Sequence, residues 1–82
     1  MPLDLSPFAD RHPATLQVLK WFDVDGLPPG APRELGRSCT ALAMQHVAAL
    51  PDGPELTIGL RALLDARTAF TRAAIEAEEG RA

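Results

Sequence analysis

Residues 50–76, LPDGPELTIGLRALLDARTAFTRAAIE, constrain this chain more than any other stretch, because they place a helix stop and a helix start within six residues. Pro51 pushes Leu50 out of the α region and ends the helix before it. Asp52 and Glu55 stand three apart, the spacing of a capping box. Gly53 and Pro54 then fall in a first turn, where the missing proline N–H is harmless. A connection of about three residues leaves two flanking helices only one arrangement, side by side and antiparallel.

The flanking periodicity supports two long helices. Before the turn, Leu35, Cys39, Leu42, Ala43, His46, Ala49 and Leu50 recur at three- and four-residue steps, and Met44 and Val47 widen the apolar face. Pro32 opens this helix. Gly36 inside it costs roughly 1 kcal/mol relative to Ala, which fits a close approach by another segment or simple tolerance. After the turn, Leu56, Leu60, Leu63, Leu64, Phe70, Ala74 and Ala77 form the stripe of a helix from about Gly53 to Glu78, with Ile75 beside it. Glu76, Glu78 and Glu79 oppose the helix dipole, so the last turn is expected to fray before Gly80. The two helices would span roughly 28 and 38 Å at about 1.5 Å per residue.

Upstream, Pro13 opens a short helix carrying Leu16, Val18, Leu19, Trp21 and Phe22. Residues 23–31, DVDGLPPGA, read as a loop with Leu27 tucked inward as an anchor. Residues 1–12 read as an irregular arm, 13–79 as one helical-hairpin domain and 80–82 as a tail. The fold class is all-α: a short N-terminal helix and a long antiparallel hairpin. Leu64, Ile58, Ile75, Met44 and Val47 exceed what one seam can cover. A core of this size seldom supplies more than about 3–5 kcal/mol alone. Cys39 is the only cysteine and the histidines are His12 and His46, so neither a disulfide within the chain nor a structural zinc site is expected. Self-association into a homo-oligomer is the remaining common solution.

A net charge of −3 argues against a duplex nucleic-acid partner, although a small anion needs only a few local cations. No apolar run approaches membrane-spanning length, and the first residues lack the pattern of a secretory signal, so a cytosolic location is expected. No cofactor motif, metal set, paired carboxylates or nucleophile–base pair stands out, and the chain reads as non-enzymatic.

Several side chains carry two readings. Arg33 and Arg37, one turn apart, suit either a cationic notch for phosphate or a solvated face paired with Glu34. Lys20 with Trp21 and Phe22 suits either base stacking beside a phosphate or burial of the rings. Arg67 falls inside the apolar stripe between Leu63 and Phe70. A charge there snorkels, pairs across an interface or binds an anion. His46 and Cys39 are expected on the apolar face, as a satisfied histidine and a small hydrophobe.

From Trp21 to about Glu76 the chain resembles small helical-hairpin proteins of actinobacterial phages, through the aromatic and turn WFDVDGLPP and the loop-plus-helix LPDGPELTIGLRALLDARTAFTRAAI. More distantly it resembles the phage hairpin family that sequesters cyclic nucleotide immune signals. That family's turn runs approximately Phe-x-Tyr-x-x-x-Pro. Phe22 and Pro28 match it, Val24 takes the Tyr position, and Gly26 stands where related proteins carry His. Arg37 best matches the family's basic residue on the first long helix, with Arg33 one turn earlier. Pro54 replaces a basic residue of the family's loop. The resemblance implies a homo-oligomer, often a hexamer in that family, in the cytoplasm of the infected host. It would bind cyclic oligonucleotides or cyclic ADP-ribose relatives without degrading them, with Arg37, Arg33, Trp21, Phe22, Lys20 and Arg67 as ligand-binding candidates. The alternative is a protein-interaction module with no nucleotide ligand.

Overall fold

A computed structural model describes residues 3–81, with Arg81 described by its backbone only. Met1 and Pro2 of the arm and Ala82 of the tail lie outside the described residues. The chain is all-helical, with three α-helices and no strand among the described residues: α1 (Pro13–Leu19), α2 (Ala31–Ala49) and α3 (Pro54–Arg81). Two short 3-10 turns, Ser6–Phe8 and Lys20–Phe22, precede and follow α1.

Prolines set each start. Pro13 begins α1, and the His12 Nδ1 accepts the Ala14 N–H at 3.0 Å as a cap. α2 starts after Gly30, whose φ of 97° is a left-handed conformation that L side chains rarely adopt. The Gly30 carbonyl accepts the Glu34 N–H at 3.1 Å, and Pro32 sits in the first turn. α2 ends at Leu50, extended at φ −120° and ψ 148° as the following proline requires. The Gly53 carbonyl accepts the Thr57 N–H at 3.2 Å, so α3 starts at Pro54. Its end runs through Gly80 to Arg81 rather than fraying before it.

The C-terminal part of α2 lies beside the N-terminal part of α3, where Leu42, His46 and Leu50 share a groove with Leu56, Leu60 and Leu63. At the other end, a Cβ on Gly30 would sit 3.4 Å from a Glu78 carboxylate oxygen. Val18, Leu19 and Phe22 lie across this pair and meet Ala43, Val47, Leu56 and Leu60 in one buried cluster. Leu3, Leu5 and Phe8 of the arm pack onto the same cluster. The arm is therefore docked over residues 3–12, not irregular throughout.

The α3 stripe lies largely where expected, with Leu56, Leu60 and Ala74 buried and Leu63 and Leu64 packed against the core, whereas the α2 stripe is rotated. On α2 the buried residues are Pro32, Gly36, Ala43 and Val47, whereas Leu35, Leu42, Leu50 and His46 are exposed and Cys39 is half-buried. Small residues face inward because the loop after α1 lies against this side of α2. A Cβ on Gly36 would collide with the Leu27 Cδ1 and stand 3.1 Å from the Val24 Cγ1. Gly36 thus accommodates the inward-tucked Leu27. On α3, Leu56, Leu60, Thr71 and Ala74 are buried, while Phe70 is 57% exposed. Phe70 is not a seam residue.

The expected capping box is also absent. The Asp52 carboxylate turns away from α3 to the other side of the turn. It accepts the Thr15 hydroxyl at 2.7 Å, the His12 N–H at 3.1 Å and the Arg11 Nε–H at 3.1 Å. Arg11 continues across the turn and donates to the Val47 carbonyl, and to that of Leu50 at 2.6 Å. A charged side chain satisfies the open end of α2 while its ion pair fixes the arm.

Candidate functional site

The segment that joins α1 to α2 is held by its backbone. Arg67 Nη2 donates to the Trp21 carbonyl at 3.0 Å and Nη1 to that of Asp23 at 3.1 Å. Between them, the Thr40 hydroxyl donates to the Phe22 carbonyl at 2.6 Å. Further along, Arg33 grips the Leu27 carbonyl with Nε at 3.2 Å and Nη2 at 2.7 Å. Local turns complete the segment: the Asp23 carboxylate accepts the Asp25 N–H at 2.9 Å, and the Val24 carbonyl accepts the Leu27 N–H at 3.0 Å.

This scaffold borders a cavity of about 340 Å³. Phe22, Asp23 and Val24 form one wall, and Arg37, Thr40 and Ala41 of α2 form a second. The arm closes a third side with Leu3 and Asp4. Arg37 is the cavity's one cation. Its Nη1 meets the Glu34 carboxylate at 2.8 Å, and both side chains are mostly exposed, at 59% and 68%. Such a surface pair contributes about 0–1 kcal/mol, so a phosphate can displace Glu34 at little cost. Two carboxylates share the cavity with Arg37. Hydrogen bonds from Ser6, its side chain first and then its N–H at 2.9 Å, hold the Asp4 carboxyl below its usual range. Asp4 is therefore charged at neutral pH and restricts how much negative charge a ligand can bring.

The six candidate residues separate into three groups. Arg37 and Phe22 line the cavity, but Phe22 is fully buried, so its ring is a wall packed into the core rather than a free stacking surface. Trp21 is 61% exposed with the Lys20 ammonium 5.8 Å from its ring centroid, and neither residue lines the cavity. Arg33 and Arg67 spend their guanidinium groups on backbone carbonyls of the same chain. Thr40, Asp23 and the two arm residues went unrecognised in the sequence. Thr40 lies one turn from Arg37 and was within reach of helical spacing; Leu3 and Asp4 carry no local signal of where the arm docks.

Two other concavities are apolar. One of about 500 Å³ runs between α2 and α3 past Leu42, His46, Leu50 and Leu63. The other, about 530 Å³, lies at the turn beside His12, Asp52, Pro54 and Ile58. Among the described residues no cluster of His, Cys, Asp and Glu has the make-up of a metal site, and no helix is long and apolar enough to cross a membrane. Comparison with protein-family models, with curated proteins and with solved structures gave no match to this chain.

Proposed function

We propose that this chain is a phage-encoded sponge. It would bind cyclic oligonucleotides or cyclic ADP-ribose relatives in the host cytoplasm and withhold them from bacterial defence, without catalysis and without a cofactor. In this reading the helices form an antiparallel hairpin that assembles as a homo-oligomer, and neither duplex nucleic acid nor membrane is a partner. One observation carries the proposal. Phe22, Val24 and Arg37, the positions that the phage hairpin resemblance assigns to the ligand, line a single cavity although they lie on two different segments. Arg37 supplies the phosphate contact. Trp21, with Lys20 over its ring, is the exposed aromatic platform closest in sequence.

Calorimetric titration with cyclic di- and trinucleotides and cyclic ADP-ribose isomers tests this. A binder should be recovered chemically intact by mass spectrometry. Arg37→Ala should weaken it by some tenfold to a hundredfold, the effect of losing a charge-assisted bond of about 1.5–3 kcal/mol. The melting temperature should barely move, because the Glu34 pair is exposed. No binding at millimolar ligand would refute the reading.

A second reading has its own observation. Leu35, Leu42, Leu50, Ile58 and Phe70 are large apolar side chains, each at least 39% exposed. A protein-interaction module would use that surface on a foreign partner, and Phe70→Asp would then remove the partner without touching any nucleotide.

A further inference from the structure

Trp21, Phe22 and Asp23 present three consecutive carbonyls, and all three are taken by side chains of the long helices. Arg67 on α3 takes the first and third, and Thr40 on α2 takes the second. These residues supply the exposed indole and two wall residues of the Arg37 cavity. One guanidinium thus sets the backbone beneath both features.

Arg67 is poorly suited to a role in stability alone. Its Nε is buried and has no hydrogen-bond partner, and its guanidinium carbon stands 5.8 Å from the Phe22 ring centroid. A buried N–H left unmade offsets much of what the other two bonds contribute. An apolar side chain of similar volume leaves the part-buried Asp23 carbonyl without its donor. It cannot hold two carbonyls at a fixed separation.

We propose that Arg67 is a positioning residue: it fixes the Trp21–Asp23 backbone so that the Arg37 cavity keeps its shape and the Trp21 indole keeps one orientation. The proposal rests on the cavity being the ligand site, and its test separates the two ideas. Trp21 is the only tryptophan and tyrosine is absent, so tryptophan emission and the fluorine resonance of a 5-fluorotryptophan-labelled chain both report this segment alone.

In Arg67→Met the helical circular dichroism should persist at room temperature and the melting temperature should fall modestly, because the part-buried Asp23 carbonyl loses its donor. The Trp21 emission anisotropy should fall, and the fluorine line should broaden or split. Arg67→Lys, which keeps one donor, should lie between them. Thr40→Val, which removes the middle bond without changing shape, should shift Trp21 in the same direction and covers the case that Arg67→Met fails to fold. Arg72→Met, an exposed cation on the same helix, should leave Trp21 unchanged. With cyclic di-AMP and cyclic di-GMP as probes, Arg67→Met should weaken binding about tenfold, equivalent to some 1.4 kcal/mol. If the wild type binds neither these probes nor the cyclic trinucleotides and cyclic ADP-ribose isomers, the cavity reading fails while the anisotropy series still decides the positioning role. A lowered melting temperature with unchanged Trp21 order in Arg67→Met would make Arg67 a plain stabilising residue and overturn the proposal.

Discussion

Arg11→Ala should detach the N-terminal arm and cost the fold a large part of its stability. The Arg11 side chain is only 19% exposed. It donates to the Val47 carbonyl, to the Leu50 carbonyl at 2.6 Å, and to Asp52 at 3.1 Å. Val47 and Leu50 lie at the end of α2, where carbonyls have no helical partner and the dipole favours a cation. A hydrogen bond from a charged donor contributes about 1.5–3 kcal/mol when its acceptor is withdrawn from water. The Val47 bond is half-buried and merits that value, whereas the Leu50 bond is exposed and water can replace it. The Asp52 pair is partly exposed, at 31% on the carboxylate side, and adds little. The sum is about 3 kcal/mol, against a total of roughly 4–12 kcal/mol for a domain of this length. At about 4–8 °C per kcal/mol, the melting temperature should fall by some 12–24 °C. Thermal circular dichroism reads the shift, and limited proteolysis should show new cleavage before Pro13. A shift below about 3 °C with no new cleavage would mean that the arm's apolar contacts alone hold it, and the reasoning from the carbonyl bonds would be wrong.

Three further outcomes follow from the same contacts and from the buried and exposed faces of α3. The Thr15 hydroxyl, and behind it the His12 N–H and Arg11, hold the Asp52 carboxyl below its usual range despite some opposing desolvation. A lowered folded-state value means that the stabilisation is fully present above the unfolded value of about 3.9 and is lost as pH falls through the folded one. Melting temperature should therefore be flat from neutral pH down to about pH 5 and fall below about pH 4, and Asp52→Asn should flatten that acid limb; an unchanged limb would exclude Asp52 as its source. Leu60→Asp should unfold the chain, since Leu60 is 2% exposed and an unpaired carboxylate there costs several kcal/mol. Phe70→Asp should leave the melting curve of the single chain intact and reduce the sedimenting mass, and a lost fold there would show that Phe70 belongs to the core after all.

The helices were legible because local rules decide them. Pro13, Pro32 and Pro54 lie at or next to the first residue of their helices, and Pro51 stands two residues past Ala49, where α2 stops. The buried face of α3 was legible through Leu56, Leu60 and Ala74, but that of α2 was not, because it depends on what packs against it. Periodicity weights the large side chains Leu35 and Leu42, but the inward positions of α2 are Gly36 and Ala43, chosen for closeness rather than hydrophobicity. Asp52 shows the same limit. Its spacing to Glu55 fits a cap, yet a hydroxyl, an N–H and a guanidinium from residues some 40 positions away bind it instead. Only a docked arm brings them there, and no local pattern announces the docking.

Under the proposed function, the arginines tie the site to self-association. As letters, Arg11, Arg33, Arg37 and Arg67 are four cations that suit an anion. In the fold, three of them hold main-chain carbonyls, and Arg37 alone faces the cavity that Asp4 and Asp23 also line. A cyclic dinucleotide carries two phosphates, and one cavity of this kind neutralises one of them. The second has to find its cation elsewhere, and a second copy of the chain offers an equivalent Arg37. Under the proposed function, binding and self-association are then linked: ligand should favour the assembly, and variants such as Phe70→Asp that dissociate it should weaken a ligand that Phe70 never touches. That linkage also separates the two readings of the surface. If the exposed leucines and Phe70 serve a foreign protein instead, nucleotide affinity and sedimenting mass should vary independently.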